Sequence, residues 1–201
     1  MKALIIGSGN FSKNALKLSD EKTYTICADG GYDHAKKHGI VPDILLGDLD
    51  SIKTESEIKT IVYPAEKDET DSEIALKFAI DNGYLDIVMT GVTGTRLDHT
   101  LNNIFLLKTA KELGANAVIV DDNNEIYYVD GKFRFSGEAG GFFSVIPISA
   151  DICVSIENAK YEIFKTRIAF GESRGISNEF LAGECVITVE DGAALVIKSE
   201  D

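Results

Sequence analysis

The pattern of this sequence changes character once, at Asp121-Asp122-Asn123-Asn124, and that change restricts the fold more than any other feature. Before it, short apolar runs alternate with stretches of helical character. Residues 3–6 are apolar and end in Gly7-Ser8-Gly9, while residues 24–28 stop at Asp29-Gly30-Gly31. Residues 44–46 lead into Gly47-Asp48-Leu49-Asp50, and residues 60–63 are closed by Pro64. Each reads as a strand followed by a turn. The stretch 11–18 is compatible with a helix. Thr70-Asp71-Ser72-Glu73 has capping-box spacing, with apolar residues 74–80 behind it and Gly83 as the stop. A further helix is expected from near Asp98 to Gly114, with strands at 87–90 and 117–120. Alternation of this kind predicts a parallel sheet with covering helices.

Beyond Asn124 the helical period disappears. Short β-rich runs at 127–129, 133–135, 142–146, 153–156, 167–170, 185–189 and 194–197 are separated by Asp130-Gly131, Gly140-Gly141, Gly171 and Asp191-Gly192. That spacing predicts a sandwich or barrel. The expected fold is therefore α/β plus all-β: a Rossmann-like parallel α/β domain over residues 1–124, then a β-sandwich over residues 125–201.

Charge narrows the function. Among 201 residues, 20 Lys+Arg face 33 Asp+Glu, a formal charge of −13. Nucleic-acid and anionic-membrane binding need a basic face, so neither is expected. Cys27, Cys153 and Cys185 lie far apart without CxxC spacing, as befits a reducing compartment. The first apolar run is too short for a signal-peptide core, and no segment approaches the ~20 apolar residues that span a bilayer. A cytoplasmic protein is expected.

Carboxylates gather where the strands end. Asp29, Asp43, Asp48, Asp50, Asp68, Asp71 and Asp98 all sit in turns or at helix starts. One such Asp is ordinary turn chemistry. A set of them at several strand ends suits one cleft, because open α/β sheets bind ligands outside the carboxyl ends of their strands. Close carboxylates repel unless a cation lies between them, and hard oxygen ligands without a Cys/His cluster point to Mg²⁺. Arg96 beside Asp98 and Lys67 beside Asp68 add phosphate-binding cations. Gly7-Ser8-Gly9 lacks the rest of a dinucleotide fingerprint and reads as a tight turn. His34 and His38, with Lys36 and Lys37 between them, read as a solvated helix face.

Taken together the ordered segments resemble the thiamine pyrophosphokinase family. They are Ala28-Asp29-Gly30-Gly31; Pro42-Asp43 leading to Gly47-Asp48-Leu49-Asp50-Ser51; Lys67-Asp68-Glu69-Thr70-Asp71-Ser72-Glu73; Gly94-Thr95-Arg96-Leu97-Asp98-His99-Thr100-Leu101-Asn102-Asn103; and Gly175-Ile176-Ser177-Asn178-Glu179-Phe180. The resemblance implies transfer of diphosphate from ATP to the hydroxyethyl group of thiamine. It also implies a homodimer whose active sites lie between the first domain of one subunit and the second domain of the other. On it, Asp48, Asp50 and Asp71 organise Mg²⁺ and phosphates, and Asp29, Lys67, Thr70, Arg96 and Asp98 line the ATP site. Ser177 and Asn178 match residues that meet the pyrimidine of thiamine, and Tyr161 matches an aromatic that packs against it. The family often has Gly-Leu-Lys before that aromatic, where this chain has Asn158-Ala159-Lys160. Two alternatives share the acidic first half: transfer to another hydroxymethyl heteroaromatic, and a nucleotide-sensing homodimer without catalysis.

Overall fold

The computed structural model describes residues 1–47, 58–64, 66, 68–94, 96–181 and 183–200. The chain divides into two compact units, Met1–Asp122 and Asn123–Asp201.

In unit 1 the described strands are β1 (Lys2–Ile6), β2 (Tyr24–Ala28), β3 (Ile44–Gly47), β4 (Lys59–Val62), β5 (Asp86–Thr90) and β6 (Asn116–Val120). They lie in the order β6-β5-β1-β2-β3-β4, and every pairing among them is parallel. Ala3, Leu4, Ile5 and Ile6 are all buried, so β1 reads as a continuous apolar run rather than an alternating one. Each buried Leu or Ile there contributes roughly 1.5–3 kcal/mol of transfer free energy. Helices α1 (Gly31–Lys37), α2 (Asp71–Asp81) and α3 (Leu97–Glu112) complete the unit, with a 3-10 helix at Lys13–Leu18.

Two local readings change on contact with the structure. Asp29-Gly30-Gly31 stops β2 as read and also starts α1, where a Cβ on Gly31 would stand 1.9 Å from the Ile6 carbonyl oxygen. Only a residue without a side chain lets that helix pack so close to β1. His34 and His38 are half-buried rather than solvated, since Phe11 stacks on both rings at centroid distances of 5.7 and 4.7 Å. Desolvation and nearby Lys13 and Lys37 hold His38 below the ordinary imidazole range.

Unit 2 is β throughout its described residues. Its strands are β7 (Asn124–Val129), β8 (Lys132–Ser136), β9 (Phe142–Pro147), β10 (Asp151–Glu157), β11 (Ile163–Ala169), β12 (Asn178–Glu179), β13 (Glu184–Asp191) and β14 (Ala194–Ser199). They pair antiparallel as β12-β9-β14-β7 and β11-β10-β13-β8. Alternate residues of both sheets, among them Phe143, Val145, Val154, Ile168, Ile187 and Val196, are buried in one apolar cluster. Strand β11 begins earlier than its apolar pattern predicts, and the two-residue β12 is too short to leave any periodic signal. Among the described residues, no buried side-chain nitrogen or oxygen lacks a partner, and no helix is long and apolar enough to cross a membrane.

Candidate active site

The strand order of unit 1 reverses at β1, with β2, β3 and β4 on one side and β5 and β6 on the other. A crevice is expected outside the carboxyl ends of β1 and β5. The loops leaving those strands are stitched together by backbone. Gly7 N–H donates to the Thr90 carbonyl at 2.9 Å, Gly9 to Gly91 at 2.6 Å, and Asn10 to Thr93 at 2.7 Å. Gly91 N–H returns a bond to the Asn10 carbonyl at 3.2 Å. A Cβ on Gly7 would sit 2.6 Å from the Gly91 oxygen, and one on Gly9 would sit 2.2 Å from the Thr93 oxygen. Gly7-Ser8-Gly9 is thus more than a tight turn: its glycines let two loops close over the switch point.

Above this floor lies a cleft of about 390 Å³. Asp29, Thr70, Asp71 and Arg96, all named from sequence, line it together. Asp29 has φ 45°, a left-handed conformation that Asp tolerates, and its N–H is anchored on the Leu46 carbonyl of β3 at 2.8 Å. Thr70 caps α2, its Oγ1 accepting the Glu73 N–H at 3.3 Å, which puts Asp71 in the first turn at the cleft. The loop before α2 is held by Lys77, whose ammonium reaches Glu69 at 2.6 Å and Glu73 at 2.9 Å. Asp48, Asp50 and Lys67 lie outside the described residues.

Arg96 occupies the N-cap of α3, and its guanidinium grips Asp98 through Nε to Oδ1 at 3.0 Å and NH2 to Oδ2 at 2.6 Å. That fork holds the Asp98 carboxyl well below the usual carboxylate range and raises Arg96. Asp98 itself is not among the residues lining the cleft; it reaches the site through Arg96. Thr100 ties the same loop down: its Oγ1 accepts the Gly94 N–H at 3.1 Å and donates to the Arg96 carbonyl at 3.0 Å. Buried Asn103 donates to the Val92 carbonyl at 2.7 Å.

Sequence reasoning missed Ser8, Thr93, His99, Thr100 and Asn103, which also line the cleft. Ser8 and Thr93 could have been found from their places just beyond strand ends. His99, Thr100 and Asn103 lie inside the 94–103 segment that carries the resemblance, and were quoted there without a role.

The cleft can hold anions and a hard cation side by side. The first turns of α2 and α3 border it, and helix N-termini carry partial positive charge. Arg96 adds a full charge, and Asp29 and Asp71 bring carboxylates to the same lining. Among the described residues, His, Cys, Asp and Glu form no cluster of three or more with metal-binding spacing.

In unit 2, Tyr161, Ser177 and Asn178 are brought together. Tyr161 is exposed, Asn178 is buried, and Ser177 is exposed with φ 57°. Asn178 Oδ1 accepts the Tyr161 N–H at 3.0 Å, and its Nδ2 donates to the Tyr161 carbonyl at 2.9 Å. Asn158 also has positive φ, 61°. Asn adopts that conformation more readily than most residues, so it serves at a position where glycine is the usual choice.

Comparison with known proteins agrees across both units. The catalytic-domain model of the thiamin pyrophosphokinases matches residues 15–119, and the model of their vitamin B1 binding domain matches residues 132–195. A thiamine pyrophosphokinase of Bacillus subtilis (strain 168) is 32% identical, covering 100% of both chains. Among solved structures, a thiamine pyrophosphokinase from Bacillus subtilis superposes with TM-score 0.91 at 26% identity over 100% of both chains. A thiamin pyrophosphokinase from Geobacillus thermodenitrificans gives 0.88 at 27% identity over 100% of this chain and 98% of its own.

Proposed function

The chain belongs to the thiamine pyrophosphokinase family, and from that premise we propose that it transfers the diphosphate of ATP to the hydroxyethyl group of thiamine and releases AMP. The observation that carries this reading is the cleft at the end of β1 and β5, which Arg96, two helix starts and the acids Asp29 and Asp71 line together. In this reading unit 1 is a Rossmann-like ATP platform. Unit 2 is a β-sandwich whose Tyr161, Ser177 and Asn178 corner receives thiamine.

The chemistry of the cleft suits Mg²⁺, because carboxylate and hydroxyl oxygens from Asp29, Thr70, Asp71 and Ser72 line it. Asp71 would hold the ion with Asp48 and Asp50, and the bound ion would neutralise phosphate charge. The chain's own groups do the rest. N–H groups of the helix starts bind phosphate oxygens, with Lys67 as a further cation on the ATP side. Arg96, kept in its fork by Asp98, holds a non-bridging oxygen. The thiamine hydroxyl oxygen attacks the β-phosphorus in line; its new bond to phosphorus forms as the bond to the AMP oxygen breaks, and the hydroxyl proton passes to solvent.

Direct transfer is favoured over a phosphoenzyme. Cys27, at the end of β2, is buried, and burial pushes its thiol up to about 12, so it is not a thiolate at neutral pH. We further propose a cytoplasmic homodimer with each site completed by the partner subunit. Its three free cysteines support the compartment, and the sequence resemblance supports the assembly. The test is ATP labelled at the β-phosphorus: the label is expected in thiamine diphosphate, with unlabelled AMP released. Label on the protein, or label left in the nucleotide while thiamine gains a single phosphate, rules the reading out.

A further inference from the structure

The Tyr161 corner of unit 2 hangs from one buried amide. Asn178 is 5% exposed, whereas Tyr161, whose backbone it bonds, is 56% exposed. The Asn178 side chain spends its bonds on backbone. Oδ1 accepts the N–H groups of Tyr161 at 3.0 Å and Glu179 at 2.8 Å, and Nδ2 donates to the Tyr161 carbonyl at 2.9 Å. One side chain therefore satisfies both backbone polar groups of Tyr161, as a neighbouring strand would.

The two residues before Tyr161 repeat the attachment. Lys160 N–H donates to the Glu179 carbonyl at 3.0 Å, and the Lys160 ammonium reaches the Glu179 carboxylate at 2.6 Å. Ala159 bridges Phe180, whose ring is buried against Phe135 and Phe143 at centroid distances of 4.9 and 4.8 Å. The segment before Tyr161 is thus riveted to a rigid aromatic core, and Asn178 is the rivet at Tyr161 itself. A buried amide costs free energy unless it is bonded; two of its three bonds fix the backbone that carries an exposed ring, and the third holds the amide to its own strand. Only an amide offers both an acceptor for two N–H groups and a donor for a carbonyl; a carboxylate would repel that carbonyl, and a hydroxyl is shorter.

We propose that Asn178 is a positioning residue, which fixes the Tyr161 backbone so that the ring is presented to the acceptor, and does not itself touch the acceptor. This rests on the reading of the Tyr161 corner as the thiamine site. The chain has no tryptophan, so Tyr161→Trp places a single fluorescent reporter at the position in question. In that background Asn178→Ala is expected to lower the steady-state anisotropy of the reporter. Thiamine should quench the reporter, with a Kd about tenfold weaker once Asn178 is removed. In the otherwise unaltered protein, Asn178→Ala should raise the KM for thiamine about tenfold, with the KM for ATP and kcat within about twofold. In a Tyr161→Ala background the same change should add less than about twofold.

Unchanged anisotropy overturns the proposal. So does an undiminished effect of Asn178→Ala when Tyr161 is already alanine, which would mean direct contact with the acceptor. Lower anisotropy with no response to thiamine would leave the rivet standing and overturn its link to the acceptor, together with the acceptor site proposed above. Should Asn178→Ala fail to fold, Asn178→Asp carries the same comparison, since it keeps both acceptor bonds and loses the donor.

Discussion

The cleft of unit 1 and the Tyr161 corner of unit 2 are built by opposite means. In unit 1 the floor is backbone on backbone, with Gly7 and Gly9 chosen because no side chain fits between the loops. In unit 2 the corner is backbone on side chain, and one amide stands in for a strand. The first arrangement tolerates no added atom but depends on no particular functional group. The second depends on a single residue type, the amide of Asn178. On the function proposed above, a cleft for a highly charged polyphosphate gains from a floor that cannot shift, and a corner for a flat aromatic needs only its ring held in place.

The sharpest way to break this comparison is steric. Gly9→Ala puts a methyl 2.2 Å from the Thr93 oxygen, and backbone cannot step aside as a flexible side chain can. The expected cost is about 3 kcal/mol or more in urea unfolding, with activity lost. In unit 2, Gly131→Ala meets nothing within 4 Å and should stay within about 0.5 kcal/mol of the unaltered protein. Equal unfolding midpoints for the two variants would remove the contrast.

The next largest effect separates chemistry from folding inside the cleft. Asp71 lies in the first turn of α2, where Asn is tolerated, and the cap itself belongs to Thr70. Asp71→Asn should therefore lower kcat about a hundredfold while the thermal midpoint barely moves. Near-normal turnover at saturating Mg²⁺ would show that this carboxylate is not a ligand. Mixing Asp71→Asn subunits with Tyr161→Ala subunits extends the test to the assembly. Recovery of activity after subunit exchange is expected if each site draws on two subunits, and no recovery despite exchange would place a complete site in each.

How far the sequence foretold all this follows the same division. Strands β1, β2, β5 and β6 were legible because full burial on both faces leaves an apolar run, and α2 because Thr70 and Glu73 sit at capping distance. Asp29, Asp71 and Arg96 could be read from the sequence as neighbours because strand ends and helix starts converge on one edge of a parallel sheet, whereas Thr70 entered the set through the family resemblance. Gly7-Ser8-Gly9 was misjudged because its partner, Gly91-Val92-Thr93, is some eighty residues away, and a local motif cannot report a non-local clash. The rings of His34 and His38 were misread for the same reason, since Phe11 belongs to a different segment. Strand β12 left no pattern at all: two residues carry no period, and what makes Asn178 matter is the partner its amide finds.

A smaller effect is expected at Arg96. Lysine keeps the charge but loses the two-point grip on Asp98, so Arg96→Lys should lower kcat about tenfold with less change in the KM for ATP. The sign of its acid dependence follows from the Asp98 carboxyl. Its protonation is depressed in the folded protein, so the fork is present above the ordinary carboxylate range and is lost only as pH falls below it. Carboxyl-carbon NMR should find no Asp98 midpoint near the ordinary value of about 3.9, and Arg96→Lys should move the midpoint up toward it. An Asp98 that already titrates normally would mean the fork is not populated in solution.

The finest comparison uses the thiols, because one buried cysteine reports on each unit. Burial pushes Cys27 of β2 up to about 12 and Cys185 of β13 up to about 11, while Cys153 is half-buried. At pH 8 an aromatic disulfide reagent should label Cys153 first. Cys27 and Cys185 should follow only as their units open, because reaction needs both access and thiolate. The alkaline limb has a definite direction. In the unfolded chain both thiols ionise near 9.0, whereas in the folded chain they stay protonated until about 12 and about 11. The raised values stabilise the fold fully below pH 9 and less as pH rises through that window, by no more than ~1.4 kcal/mol per pH unit for each thiol. Labelling in graded urea at pH 8 then asks whether the glycine-locked unit and the riveted one open together. Protection of Cys27 that outlasts that of Cys185 is the expected order, since the floor of unit 1 has the fewer ways to give. The reverse order would mean that the backbone stitching at Gly7 and Gly9 shapes the cleft without holding the unit shut.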